Sequence, residues 1–472
     1  MKKFLFGFFI IVSFVLVSCK STQDSQTQVP NVPSSLVPFY EGRPVNIPTD
    51  VKENPAHVGM LLPLSGKNSA IAEDLRNAAI LAQFELAGEG YTLSFYDTKG
   101  TAEGTQSAFT QAIDEGVELI LGPLSSAEVD SVRSFSYRHN VPVFSFTSDQ
   151  DKVGRGIYSL ALTIPNQTER IIRFACERGA KRLAIMAPDN KAGDLAIDTA
   201  KNVADSCGME VTKLSVYNPT FINFEPYVLS VLPENFSQMR KEKLAEKKNA
   251  RLKKEKKEKD ETEQGDIPLK EQLEFDALFI ADEGNRLKSI SSLFGLYDIY
   301  PEDVLFLGLS KWYEPSLSNE GSLKGAYFPL LPEQGHNVFT QKFKDTYGKK
   351  PSRLASLAYD AVALSVALTS KGHPSLEILD STSGFLGTDG LFRFTRKGTV
   401  ERLMSVYEIA GPQNFVRIEK PSASFAIEDW KKEQLQDIRI INQSREDDLP
   451  VEESIDSTPT SESVDSTSEV LP

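Results

Sequence analysis

The chain of 472 residues is long enough for two or three domains, and its 40% hydrophobic and 9% aromatic content suits a folded core. A formal net charge of −14 argues against general nucleic-acid binding, which needs basic faces, although much of that acidity is gathered in one terminal stretch. The four histidines, His57, His139, His336 and His373, are scattered, no cysteine–histidine cluster has metal-ligand spacing, and no metal or cofactor is expected.

The first segment, MKKFLFGFFIIVSFVLVS, has two lysines, a short apolar run and a small-residue end, the pattern of an exported signal peptide over residues 1–18. Leu16-Val17-Ser18-Cys19 resembles the bacterial lipobox, which implies lipidation of Cys19 and a membrane anchor at the new N-terminus. Lys20 follows in place of the aspartate that marks inner-membrane retention in enterobacterial lipoproteins, so outer-membrane placement on the periplasmic face is expected. Residues 19–55 are rich in Ser, Thr, Gln and Pro without apolar periodicity and read as a tether. Fully extended, such a tether reaches at most ~115 Å, and about 30–35 Å on average as a flexible coil.

From residue 57 the pattern changes. HVGMLLPLS, YTLSFYDT, VELILGPLS and VPVFSFTS read as strands. Between them AIAEDLRNAAILAQFELAG, AEGTQSAFTQAIDEG and SAEVDSVRSFSYRHN have helical apolar spacing. After IYSLALTI the alternation restarts with NQTERIIRFACERGA, RLAIMAP, DLAIDTAKNVADSCG and EVTKLSVYN, and continues through DALFIA, a helix over 284–297 and VLFLGLS. Repeated strand–helix alternation predicts an α/β fold of two lobes, each a doubly wound, mostly parallel sheet with helices on both faces.

A lysine-dominated segment, residues 237–264, interrupts the second lobe and offers little to a core; it reads as a solvated helix or disordered insertion, the functional alternative being a basic arm for an anionic partner. Residues 443–472 are acidic, Ser/Thr-rich and free of aromatics, the composition of a disordered tail. With Cys19 taken by lipid, Cys176 and Cys207 either pair or stand as separate buried thiols.

Several stretches, in order and spacing, resemble the type 1 periplasmic binding proteins, the leucine/isoleucine/valine-receptor superfamily. They are LLPLSGKNSAIAEDLRNAAILA, ELILGPLSSAEVDSVRSFSYRHNVPVFSF, LASLAYDAVAL and GFLGTDGLFRFTRKGTVERLMSVYEI. The resemblance covers residues 56 to about 422. It implies lobe one from residues 56–164 plus 325–422 and lobe two from 165–324. A ligand cleft is then expected between them, beyond the carboxyl ends of the strands. Cleft-facing candidates are Ser65, Ser125, Ser126, Thr147, Ser148 and Asp149 from lobe one, with Asn190, Lys191, Asp282, Glu283 and Trp312 from lobe two. The hydroxyls suit a carboxylate, and Asp282 or Glu283 suits an ammonium. Ser125 and Ser126 read equally well as helix caps, because SSAE is a capping pattern.

Amino-acid receptors of that superfamily usually carry two glycines in the first helix and a tyrosine lid in the second lobe. The matching positions here hold Ala72, Ala78 and Ala192. LLPLSG together with the lipobox is more similar to the lipoprotein activators of penicillin-binding proteins, although the helical-repeat domain of their better-known members has no counterpart in the short tether. That resemblance implies a cell-wall synthase as partner; the receptor resemblance implies instead a small polar solute, such as an amino acid, and an ABC permease. No enzyme is expected: LPLSGKNS misses the phosphate-loop spacing, and neither G-x-S-x-G nor H-E-x-x-H occurs.

Overall fold

The computed structural model describes residues 56–234, 236, 238 and 273–447. The expected signal peptide, Cys19, the tether and nearly all of the lysine-rich insertion lie outside the described residues. So does the terminal stretch beyond residue 447.

Lobe one is built on a five-stranded sheet of β1 (Ala56–Leu62), β2 (Tyr91–Asp97), β3 (Leu119–Leu121), β4 (Val143–Ser145) and β5 (Ile157–Ser159). The strands are parallel in the order β2-β1-β3-β4-β5. Helices α1 (Ser69–Leu86), α2 (Ala102–Asp114) and α3 (Ser126–His139) connect them. Strand side chains alternate between faces, so a buried central strand feeds two cores. Val58, Met60 and Leu62 enter one with Ala72, Leu75 and Ala78 of α1; Leu61 enters the other with Phe109 and Val129. Each fully buried aliphatic side chain of this kind contributes about 1.5–3 kcal/mol.

Lobe two repeats the plan. Its chain runs through α4 (Ile164–Glu177), β6 (Arg182–Pro188), α5 (Lys191–Ser206), β7 (Glu210–Tyr217), α6 (Glu225–Val231), β8 (Ala277–Ile280), α7 (Gly284–Leu296), β9 (Leu305–Leu307), a short α8 (Pro315–Ser318) and β10 (Tyr327–Leu330). Ala184 and Met186 face one core while Leu183, Ile185 and Ala187 face the other. The two cysteines are joined: Cys176 in the last turn of α4 and Cys207 after α5 form a disulfide with Cα atoms 6.3 Å apart.

The chain then returns to lobe one as α9 (Glu333–Tyr347) and α10 (Ala355–Leu368). Small residues on α1 and α10, Ala78, Ala82, Ala358 and Ala361 among them, share one core. A three-stranded antiparallel sheet follows, β11 (Phe385–Gly387), β12 (Gly390–Phe394) and β13 (Val400–Arg402), and its Phe392 and Val400 belong to the same core. The hairpin β14 (Ser405–Gly411) and β15 (Asn414–Glu419) and the helix α11 (Phe425–Asp447) complete the described chain.

Two placements differ from the sequence reading. β10, β14 and β15 fall within the span assigned to lobe one, 325–422, yet they extend the lobe-two sheet, whose order is β15-β14-β10-β9-β8-β6-β7. Apolar alternation identifies a strand but not the edge to which it adds, because its hydrogen-bond partner is distant in sequence. Residues 443–447, assigned to a disordered tail, are the last residues of α11, whose inner face is held further upstream.

Candidate functional site

The candidate cleft residues lie on loops beyond the carboxyl ends of the strands, where open α/β sheets gather their sites. Gly122 shapes one of these loops. Its φ is +85°, and a Cβ there would lie 2.3 Å from the Leu61 carbonyl oxygen, so only glycine lets the loop leave β3 toward Ser125. Gly193 does the same for lobe two, since a Cβ would meet the Pro188 carbonyl oxygen at 1.9 Å and push α5 away from β6.

The structure brings four of these residues into one network with a fifth. The Ser126 hydroxyl donates to Asp149 Oδ2 at 2.5 Å, and the Thr147 hydroxyl accepts from the Asp149 N–H at 3.1 Å. Lys191 reaches across from lobe two and donates to Asp149 Oδ1 at 2.5 Å; it also pairs with Asp151 at 2.6 Å. Partial burial works to raise the Asp149 carboxyl, but Lys191 and Ser126 together hold it below the usual carboxylate range. Lys191 therefore ties lobe two to lobe one through one candidate, Asp149, and through Asp151.

The remaining candidates also have partners or other roles. Ser65 donates its N–H and hydroxyl to Asp97. Ser125 forms a reciprocal capping box with Glu128, and Asn190 caps α5 through the Gly193 N–H at 3.0 Å. Ser148 is exposed. Glu283 points outward and pairs with Lys311 at 2.6 Å. Asp282 is buried, and accepts from Tyr217 at 2.8 Å, from Arg286 at 2.8 and 2.7 Å, and from the Glu283 N–H. Burial, with the Asp282 carboxylate beside it, pushes the Tyr217 hydroxyl far up, so it stays a donor. Trp312 is fully buried in a lobe-two core and donates its indole N–H to the Asp282 carbonyl; it is no cleft wall. Ala192 is exposed beside Lys191, whereas Ala72 and Ala78 are buried in the lobe-one core.

Sequence reasoning passed over Asp151, Asp97, Lys311 and Arg286. Arg286 was the most accessible of these, because it stands four residues after Asp282 at helical spacing. The others pair across loops distant in sequence, which leaves no local signal.

Among the described residues, no group of three or more His, Cys, Asp or Glu is arranged to hold a metal ion, and no helix is long and apolar enough to cross a membrane. A shallow concavity lined by Glu103, Gln106, Gln111, Asp114 and Phe135 runs along α2, and none of its residues is a cleft candidate.

Residues 55–235 match the family model described as periplasmic binding protein. No curated protein sequence matches the chain. Among solved structures, a candidate branched-chain amino acid ABC transporter protein of Rhodospirillum rubrum is 15% identical with a TM-score of 0.61, over 77% of this chain and all of that one. A branched chain amino acid ABC transporter periplasmic ligand-binding protein of Burkholderia xenovorans is 12% identical with a TM-score of 0.56, over 79% and 96%. Haemophilus influenzae LpoA is 15% identical with a TM-score of 0.52, over 79% of this chain and 60% of that one. At these identities the likenesses establish the fold. Over residues 55–235 the chain is similar to the periplasmic binding proteins, and its two-lobed α/β architecture is the fold of these solved structures.

Proposed function

We propose that this protein is a non-catalytic envelope lipoprotein, anchored through Cys19 in the outer membrane, that regulates a peptidoglycan synthase of the penicillin-binding class as an activator. The match of residues 55–235 to a periplasmic binding protein model supports a location in the periplasm or cell envelope. One observation carries the reading. Polar residues expected to receive a small solute are already engaged, Ser126, Asp149 and Lys191 with one another and with Asp151, and Asp282 with Arg286. A solute would have to displace those pairs and would find Ala192 where amino-acid receptors place a covering tyrosine. The fold shared with Haemophilus influenzae LpoA supports the same reading. The test is crosslinking of intact envelopes, capture of this protein and mass spectrometry. A bifunctional synthase as dominant partner is the expected result; depletion that leaves peptidoglycan synthesis unchanged sinks the reading.

A second reading, a lipid-anchored solute receptor of an ABC transporter for an amino acid or similar solute, draws on the fold shared with the Rhodospirillum rubrum and Burkholderia xenovorans proteins. It requires a thermal shift with a small ligand, since a ligand at a hundred times its dissociation constant adds ~2.7 kcal/mol. A permease in the crosslinked fraction together with such a shift would replace the first reading.

A further inference from the structure

We propose that α11, the C-terminal helix, is a clamp that fixes the angle between the two lobes. Phe425, Glu428, Asp429, Lys432, Leu435 and Arg439 recur at spacings of three, four and seven, which place them on one face of the helix. That face touches both lobes at once. On the lobe-one side, Arg393 of β12 forms two bonds of 2.7 Å with the Asp429 carboxylate, and its guanidinium carbon lies 4.4 Å from the Phe425 ring centre. Lys432 pairs with Glu401 of β13 at 2.6 Å, and Glu401 pairs in turn with Arg393 at 2.8 Å. The strands β12 and β13 move with lobe one, because Phe392 and Val400 are part of its core.

On the lobe-two side, Glu428 pairs with Arg173 of α4 at 2.6 Å, and the same Lys432 reaches Glu169 of α4 at 2.8 Å. Leu435 packs against the core that holds Ile171 and Phe174, and Arg439 pairs with Asp205 of α5 at 3.0 Å. Lys432 is thus shared between carboxylates of the two lobes.

The helix also lies beside the hinge. The chain crosses between lobes at residues 160–163, 331–332 and 403–404. Asn166 and Arg170, on the helix that α11 grips, hold the third crossing: Asn166 accepts from the Arg402 N–H, and Arg170 donates to the Met404 carbonyl oxygen. A change in the angle between α4 and the β12–β13 sheet would pull the Glu428–Arg173 and Asp429–Arg393 pairs apart. The inference does not depend on which partner or solute the protein serves.

The test uses the full chain with spin labels at Phe84→Cys in lobe one and Ile222→Cys in lobe two, positions 83% and 94% exposed. Pulsed electron paramagnetic resonance then reads the distance between lobes. The unaltered clamp is expected to give one narrow distance distribution. Asp429→Ala combined with Lys432→Ala is expected to broaden and shift it, while hydrogen exchange over residues 425–437 rises. The charge-keeping pair Asp429→Glu with Lys432→Arg is expected to keep the narrow distribution, which separates a clamp from general loss of fold. A broad distribution before any substitution overturns the proposal. So does a narrow one that persists after exchange shows the helix released, an alanine pair that leaves exchange unchanged, or a charge-keeping pair that broadens the distribution as the alanine pair does.

Discussion

Two of the ties between the lobes, one at the front and one behind the hinge, differ in kind. At the cleft mouth, Lys191 pairs with Asp149 and Asp151 with its side chain 53% exposed. Behind the hinge, Arg173 and Glu428 pair with side chains 7% and 9% exposed, inside a wider network that takes in Glu169, Arg393, Glu401, Asp429 and Lys432. Water and salt screen the first tie, so it adds little net stability and can open readily. The second is desolvated, and removing one partner strands the other in a poor dielectric. Polar contact between two lobes therefore does not measure how firmly they are held; burial does.

Four experiments break or sharpen this contrast. The largest effect is expected beneath the rear tie. Cys176→Ala with Cys207→Ala releases α4 from α5 and reopens a loop of sequence separation 31, which should lower stability by about 3–4 kcal/mol from chain entropy. Denaturant unfolding with and without reductant checks it, and equal midpoints would show that the pair contributes nothing.

Next is Glu428→Ala, which takes from Arg173 its 2.6 Å partner, leaves Glu169 at 3.9 Å, and should cost about 3 kcal/mol. Burial alone would raise the Glu428 carboxyl, but Arg173 beside it, the Ser422 hydroxyl and Arg170 bring it down to about 2. The folded value lies below the ordinary one near 4.5, so the stabilisation is fully present above pH 4.5 and is lost as pH falls toward 2. Unfolding midpoints across that window should fall in the parent protein more steeply than in Glu428→Ala; parallel curves would remove Glu428 from the tie.

Asp360 behaves in the opposite sense. Burial, then the Asp389 carboxylate, push its carboxyl up to about 7 despite the Arg402 guanidinium, and His336 pairs with Asp389 from the other side. The folded state keeps this proton between pH 3.8 and 7 while the unfolded chain has lost it, so stability falls as pH rises through that window. Asp360→Asn should raise the melting temperature at pH 8 and change it little at pH 4, with each tenfold difference in proton affinity between folded and unfolded chain worth at most ~1.4 kcal/mol. A loss of stability at pH 8 would mean that Arg402 needs the charge.

The smallest effect is expected from Lys191→Ala at the mouth. Its melting temperature should match the parent within error at physiological salt, while the distance between labelled lobes stays narrow because the rear tie persists. A lobe that swings open on this change alone would make the front tie the one that matters.

Much of the fold was legible because it is written locally. The apolar run of β1, the Ala-rich spacing of α1 and the SSAE cap before α3 each determine an element from neighbours only a few residues away. Their alternation, repeated twice, determined two α/β lobes. Tertiary structure alone decided the rest. It paired Cys176 with Cys207, gave β10, β14 and β15 to the second sheet, buried Trp312, and set Lys191 against Asp149 and α11 across the hinge. Each of those is a contact between residues far apart in sequence, and the chain's local periodicity carries no record of which distant partner satisfies a charge, a thiol or a strand edge.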